Sequence, residues 1–325
     1  MKILYIYRHP DMGYSIGKVF RPIEQEMKKH ADVDSIYLPI PNYSFKGLWK
    51  NIRYTREYCR NNRYDIVHIT GTEHYLIPFL NRQKVVVTVH DLGSILAHNP
   101  IKAFFKKMLF LHTLKLADAV TCISDKTKNE LHDFSPCIKQ SITIYNPVGP
   151  DFIFKPKKIN KEKPTILHIG TKSNKNLENT IKALVGIKCH LRIIGVLTPV
   201  QKDNLQHSEL EYTNVWGLSD EEILKEYENC DVVNFPSLYE GFGMPIIEGQ
   251  SIGRPVLTSN LSPMKEVAAD AAVLVDPTSP ENIRKGYEAL LKDSEKYIEK
   301  GFENIKRFAL PCISKEYFEI YNKTL

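Results

Sequence analysis

Short runs rich in Val, Ile, Leu and Tyr alternate with longer stretches whose apolar positions recur every three or four residues, and the alternation runs the whole length of the 325-residue chain. The runs Ile3–Tyr7, Ser35–Leu38, Asp65–Thr70, Val85–His90, Ala119–Ser124 and Ser141–Tyr145 predict strands in the first half. Those at Thr165–Gly170, Leu191–Gly195, Asn214–Trp216, Asp231–Phe235, Val256–Ser259 and Ala272–Asp276 predict strands in the second. Between the halves, Pro147, Pro150, Pro156 and Pro164 mark a linker. Strands that alternate with helices form parallel sheets covered on both faces. The pattern therefore predicts an α/β protein of two successive Rossmann-like, doubly wound domains, over about 1–155 and 156–312, facing each other across a cleft. The segment 313–325 reads as a helix that packs back on the first domain. In such sheets ligands lie beyond the carboxyl ends of the strands, so functional residues are sought just after them.

Charge changes this picture in one place. Up to Lys158 the chain carries 24 Lys and Arg against 14 Asp and Glu, and beyond it 20 against 24. The basic half concentrates its charge over residues 46–63, where Lys46, Lys50, Arg53, Arg56, Arg60 and Arg63 step along one side of a helix while Leu48, Ile52 and Cys59 fall on the other. A second stretch, 101–116, mixes Lys102, Lys106, Lys107 and Lys115 with Phe104, Phe105, Met108, Leu109, Phe110 and Leu111. Each reads either as a contact with an anionic membrane surface, at roughly 1 kcal/mol per basic side chain, or as a solvated helix face over a buried one. No recognition motif accompanies the basic stripe, so a nucleic-acid partner is not expected. The six cysteines show neither a CxxC pair nor zinc spacing, and a metal site is not expected. The opening apolar run is too short for a secretion signal, and no stretch approaches the ~20 residues of a membrane span. A cytoplasmic protein, peripheral at the inner membrane face, is the expectation.

The most informative stretch is Phe235–Glu248, reading FPSLYEGFGMPIIE. It follows a predicted strand and opens a helix. Gly241 and Gly243 let backbone approach a ligand, and the N–H groups of the helix start suit a phosphate. Glu240 and Glu248 bracket that start. Carboxylates repel a diphosphate unless they face hydroxyls, so they read as acceptors for sugars on either side of the phosphates. A plain strand-to-helix turn with a capping glutamate is the alternative.

The same string closely resembles family 4 of the retaining glycosyltransferases, in which an E-x7-E signature, here Glu240 to Glu248, sits in a P-S-x-x-E-G-F-G-x-P context. The resemblance continues upstream through Trp216–Glu222 and downstream through Gly253–Ser259, Pro263–Val267 and Ala271–Pro277. It implies the GT-B fold and a hexosyltransferase with no cofactor or metal, which moves a sugar with retention from a nucleotide sugar donor to a saccharide or lipid-linked acceptor in polysaccharide synthesis. Guanosine diphosphate mannose is the first expectation for the donor and a uridine diphosphate sugar the second. Residue by residue, it implies that Glu248 binds ribose hydroxyls and that Glu240 contacts the transferred sugar. Gly241, Phe242, Gly243 and Met244 line the donor. Lys175, in Lys175-Asn176-Leu177, neutralises the diphosphate, and His90, in His90-Asp91, reaches the sugar. Thr171 stands where many members carry an arginine, Lys172 is the candidate substitute, and Gly170 opens the same donor-binding loop. Gly17, in the loop Gly13–Lys18, matches glycines that admit the diphosphate or acceptor, and Asn146 resembles a linker asparagine.

Gly13–Lys18 is not a Walker loop, because three residues separate its glycines and Val19 follows the lysine. Asp32-Val33-Asp34 imitates a metal-binding DxD but precedes a predicted strand far from the glutamate signature, and reads as a solvated strand entry. Two other functions remain open: a nucleotide-sugar epimerase of the same architecture, and a catalytically silent nucleotide-sugar-binding homologue.

Overall fold

In a computed structural model of the protein, described over residues 1–13, 15–41, 44–80, 83–92, 112–136, 138 and 141–325, the apolar runs form twelve strands in two parallel sheets. The first sheet comprises β1 (Lys2–Tyr7), β2 (Asp32–Tyr37), β3 (Ile66–Ile69), β4 (Lys84–Val89), β5 (Ala119–Cys122) and β6 (Ser141–Thr143), in the order β2-β1-β3-β4-β5-β6. The second comprises β7 (Thr165–Ile169), β8 (His190–Ile194), β9 (Glu211–Val215), β10 (Val232–Phe235), β11 (Val256–Ser259) and β12 (Val273–Val275), in the order β12-β11-β10-β7-β8-β9. Every adjacent pair is parallel. Helices cover both faces of the central strands, so all residues of β3, β10 and β11 are buried, the polar His68 and Asn234 among them.

Contacts divide the chain into Met1–Pro147 with Leu310–Leu325, and Val148–Ala309. The division falls at Pro147 rather than after residue 155, and the last helix is Leu310–Thr324. That helix joins the first unit through buried hydroxyls. Tyr321 Oη lies 2.9 Å from Tyr5 Oη and 2.6 Å from His68 Nδ1, while Tyr317 Oη lies 3.3 Å from Thr88 Oγ1. The second unit's core gathers Ile166, Leu191, Ile193, Val232 and Leu257 under helices that are well begun. Thr198 with Gln201 and Ser219 with Glu222 form reciprocal capping boxes.

Sheet order fixes where a ligand can bind. It reverses direction between β1 and β3 in the first sheet and between β7 and β10 in the second, and loops diverge at the carboxyl ends of those strands. The DxD look-alike falls within β2: Asp34 accepts from Tyr64 Oη at 2.7 Å and pairs with Lys2 at 3.5 Å, a structural use of both charges. Among the described residues no helix is long and apolar enough to cross a membrane.

Candidate active site

At the reversal point of the second sheet, the loops after β7 and β10 meet. The chain leaves β7 at Gly170, whose φ of 92° and N–H to Ile194 O turn it sharply. A Cβ there would stand 2.8 Å from Lys175 Cγ, so only glycine lets the Lys175 side chain lie back across the strand end. Lys175 closes the short 3-10 turn Ser173–Lys175. Its Nζ lies 4.7 Å from the centre of the Phe235 ring, a favourable cation–π distance, and donates to Glu240 Oε1 at 2.6 Å. Asn174 Nδ2 donates to the same oxygen at 3.2 Å and to Tyr239 O at 2.9 Å, and its own carbonyl accepts from Leu238 N–H at 2.8 Å. Asn176, in the left-handed region at φ 64°, holds Pro236 O at 3.0 Å and Pro277 O at 2.6 Å. These bonds stitch the loops together and set Lys175 and Glu240 side by side.

The β10 loop then enters the helix Met244–Ile252 through Gly243, at φ 115°. This helix lies close on the sheet: a Cβ on Gly249 would meet Val233 Cγ2 at 2.9 Å. Glu248, half-buried, accepts the hydroxyl of fully buried Tyr227 from the helix Asp220–Asn229. Beneath Lys175, His168 on β7 is buried beside Asn234, with Nδ1 at 2.9 Å from its Nδ2. Burial, reinforced by the Lys175 charge, lowers its pKa to about 3 and keeps it neutral.

Some expected residues serve the scaffold instead. Thr171 is buried and gives its hydroxyl to Val196 O at 2.6 Å, so its side chain faces the β8 loop and does not replace an arginine. Phe242 is buried against Phe308, ring centres 5.8 Å apart. Lys172, two residues past Gly170, is exposed. Gly17 lies within the first turn of the helix Ser15–Met27 rather than in the preceding loop, and Gly13, at φ 100°, makes the turn. Sequence reasoning missed Asn174, whose only signal was its place beside Lys175, and Tyr227, which reads as an ordinary inward position of an amphipathic helix.

The first sheet's reversal point carries its own cluster. Arg8, just after β1, donates from Nε to Gly13 O at 3.0 Å and from Nη2 to Ser15 Oγ at 3.3 Å. Glu73, past the end of β3, is fully buried, and burial raises its carboxyl to about 7 against the opposing pull of Arg8. His90, just past the end of β4, is held by Thr70 O, 2.8 Å from Nε2. Burial lowers its pKa to about 4. A neutral ring whose Nε2 faces a carbonyl carries its proton there and presents Nδ1 as an acceptor. The residues 93–111 that follow, which include most of the second basic stretch, lie outside the described residues. Among the described residues no three His, Cys, Asp or Glu side chains form a metal-holding group.

Solved structures share this architecture. A sucrose-phosphate synthase from Thermosynechococcus elongatus superposes with a TM-score of 0.80 at 19% identity, over 99% of this chain and 98% of that one. Anabaena HepE, solved with UDP and glucose, superposes with a TM-score of 0.74 at 16% identity, over 99% of this chain and all of that one. At such identities the likeness speaks for the fold alone: this is a two-domain α/β protein of the GT-B fold. Residues 150–304 match the family model of glycosyl transferases group 1, and residues 19–152 that of Glycosyltransferase Family 4. The chain belongs to this glycosyltransferase family. An uncharacterized glycosyltransferase of Methanocaldococcus jannaschii is 25% identical over 69% of this chain and 63% of its own length. The serotype-specific mannosyltransferase WbdA of Escherichia coli is 25% identical over 70% of this chain and 29% of its own length. The O-antigen chain mannosyltransferase RfbU of Salmonella typhimurium is 27% identical over 69% and 64%. The chain thus spans less than two thirds of the length of each of these relatives.

Proposed function

We propose that the protein transfers a hexose, with retention of anomeric configuration, from a nucleoside diphosphate to a saccharide or lipid-linked acceptor in polysaccharide or glycolipid synthesis. The observation that carries this reading is the pairing of Lys175 with Glu240 at the reversal point of the second sheet, 2.6 Å apart and both largely buried. A cation and an acceptor held that close match the adjoining phosphate and hydroxyls of a sugar phosphate. Lys175, with exposed Lys172 and the first turn of Met244–Ile252, neutralises the leaving diphosphate without a metal, and Glu240 takes hydroxyls of the transferred sugar. Glu248 takes the ribose hydroxyls. The departing phosphate oxygen accepts the acceptor's proton on the same face of the sugar, so no separate base is needed. His90, neutral and with Nδ1 as acceptor, is in the form that meets a sugar hydroxyl. Guanosine diphosphate mannose is the first donor to test, supported by the mannosyltransferases among the relatives, and uridine diphosphate sugars the second.

The acceptor end of the reading is a membrane surface. The helix Phe45–Asn61 exposes Lys46, Lys50, Arg53, Arg56 and Arg60, with Glu57 its single acid, and buries Ile52, Thr55 and Cys59. Phe45 and Trp49, one turn apart, are 73% and 63% exposed beside those charges. Exposed aromatics among basic residues suit the headgroup region of anionic lipid.

Transfer of radiolabelled sugar from guanosine or uridine diphosphate donors to lipid-linked acceptors tests the proposal. Glu240→Gln and Lys175→Ala are each expected to lower turnover by about two orders of magnitude, the scale of one preorganised electrostatic contact. Near-normal turnover in both would refute the site. Altered sugar appearing without an acceptor would point to an epimerase, and binding without turnover to a silent homologue.

A further inference from the structure

We propose that Tyr227 is a positioning residue for the donor site: its buried hydroxyl fixes the Glu248 carboxylate in the orientation that receives the ribose. The inference rests on the reading of Glu248 as the ribose ligand. Tyr227 is fully buried, with its ring set edge-on to Phe152 at 5.3 Å, and it donates to Glu248 Oε2. Burial and the neighbouring carboxylate push the phenol well above its usual range, so it stays protonated and acts as donor.

The two residues sit on separate helices, and both helices are pinned. Arg254, itself buried, donates from Nη2 to Glu228 O at 2.7 Å, near the end of the Tyr227 helix, and from Nη1 to Ile252 O at 3.1 Å, at the end of the Glu248 helix. A guanidinium at two helix carboxyl ends is held there by both dipoles. The supports on either side of the hydroxyl–carboxylate bond are therefore rigid. A glutamate on a helix surface turns freely about its last torsion. With Oε2 committed to a hydroxyl that cannot move, the plane of the carboxylate is set before a nucleotide arrives, and a ligand hydroxyl bonds to it without the cost of ordering it. A phenol-to-carboxylate bond is also among the stronger kinds, because one partner is charged.

The test compares ribo- with deoxyribonucleotides by titration calorimetry, using GDP and UDP and their 2′,3′-dideoxy counterparts on the full chain. Wild type is expected to prefer the ribonucleotide, and Tyr227→Phe to narrow that preference by roughly tenfold, the scale of one hydrogen bond to a charged group. In a Glu248→Ala background, Tyr227→Phe should narrow it no further. If Tyr227→Phe weakens both nucleotides equally and leaves the preference intact, Tyr227 is a core residue only and the inference falls. If wild type shows no preference between them, the ribose reading of Glu248 itself fails. Tyr227→Met, a flexible apolar filler that also lacks the hydroxyl, gives the same comparison should the phenylalanine variant fold poorly.

Discussion

A lysine side chain laid over an aromatic ring and against a carboxylate has few conformations left, and that restriction is what Gly170 secures. The backbone at φ 92° already excludes most side chains, and a methyl group would displace Lys175 from Cγ outward. Gly170→Ala is therefore expected to cost about 1–3 kcal/mol of stability through backbone strain. It should also lower turnover towards the level of Lys175→Ala while nucleotide binding through Glu248 persists. Parallel melting and rate measurements check this, and a variant with unchanged turnover would show that Lys175 does not need its observed path. The departures from the family pattern belong to the same scale. Thr171 could be seen in the sequence as a missing arginine, but its bond to Val196 O depends on Gly195, where a Cβ would collide with Thr171 Oγ1 at 2.9 Å. Nothing in the local sequence signals that contact.

At the level of elements, all twelve strands were legible, because β-branched runs bounded by polar residues leave little choice in a parallel sheet. Their ends were less so. β2 begins at Asp32 and β9 at Glu211, polar starts on outer strands where one side lacks a neighbour and apolar runs are not required. The pairing of Lys175 with Glu240 joins residues 65 positions apart and follows from sheet order rather than from any motif spacing. The helix Phe45–Asn61 showed its basic side in sequence, but the exposure of Phe45 and Trp49 emerged only with the fold. It should bind phosphatidylglycerol vesicles, release them at high salt, and ignore phosphatidylcholine. Replacing both aromatics by serine is expected to abolish most cosedimentation. Undiminished binding by that double variant would leave the charges alone responsible.

The whole molecule carries several buried ionisable groups whose shifts oppose one another. Burial lowers His68 to about 3, His90 to about 4 and His168 to about 3. The unfolded chain therefore takes up protons below about pH 6.5 that the folded one refuses, and stability falls as pH drops from 6.5 towards 4. Glu73 acts in the other direction, since its folded value of about 7 means that stability is lost as pH rises from the ordinary carboxyl range through 7. Melting temperatures between pH 4 and 8 should show the acid loss in wild type. Glu73→Gln should gain on wild type as pH rises, and a constant difference between the two would show that Glu73 ionises freely in the fold.

The proposed transfer requires a nucleotide site at the reversal point of the second sheet. Thermal shift against a panel of nucleoside diphosphates and nucleotide sugars examines it most directly, because a ligand that binds only the folded state raises its melting temperature. One base should stabilise the protein selectively without added metal, and Glu248→Ala should remove the effect. No stabilisation by any member of the panel, or stabilisation that survives Glu248→Ala unchanged, would contradict it.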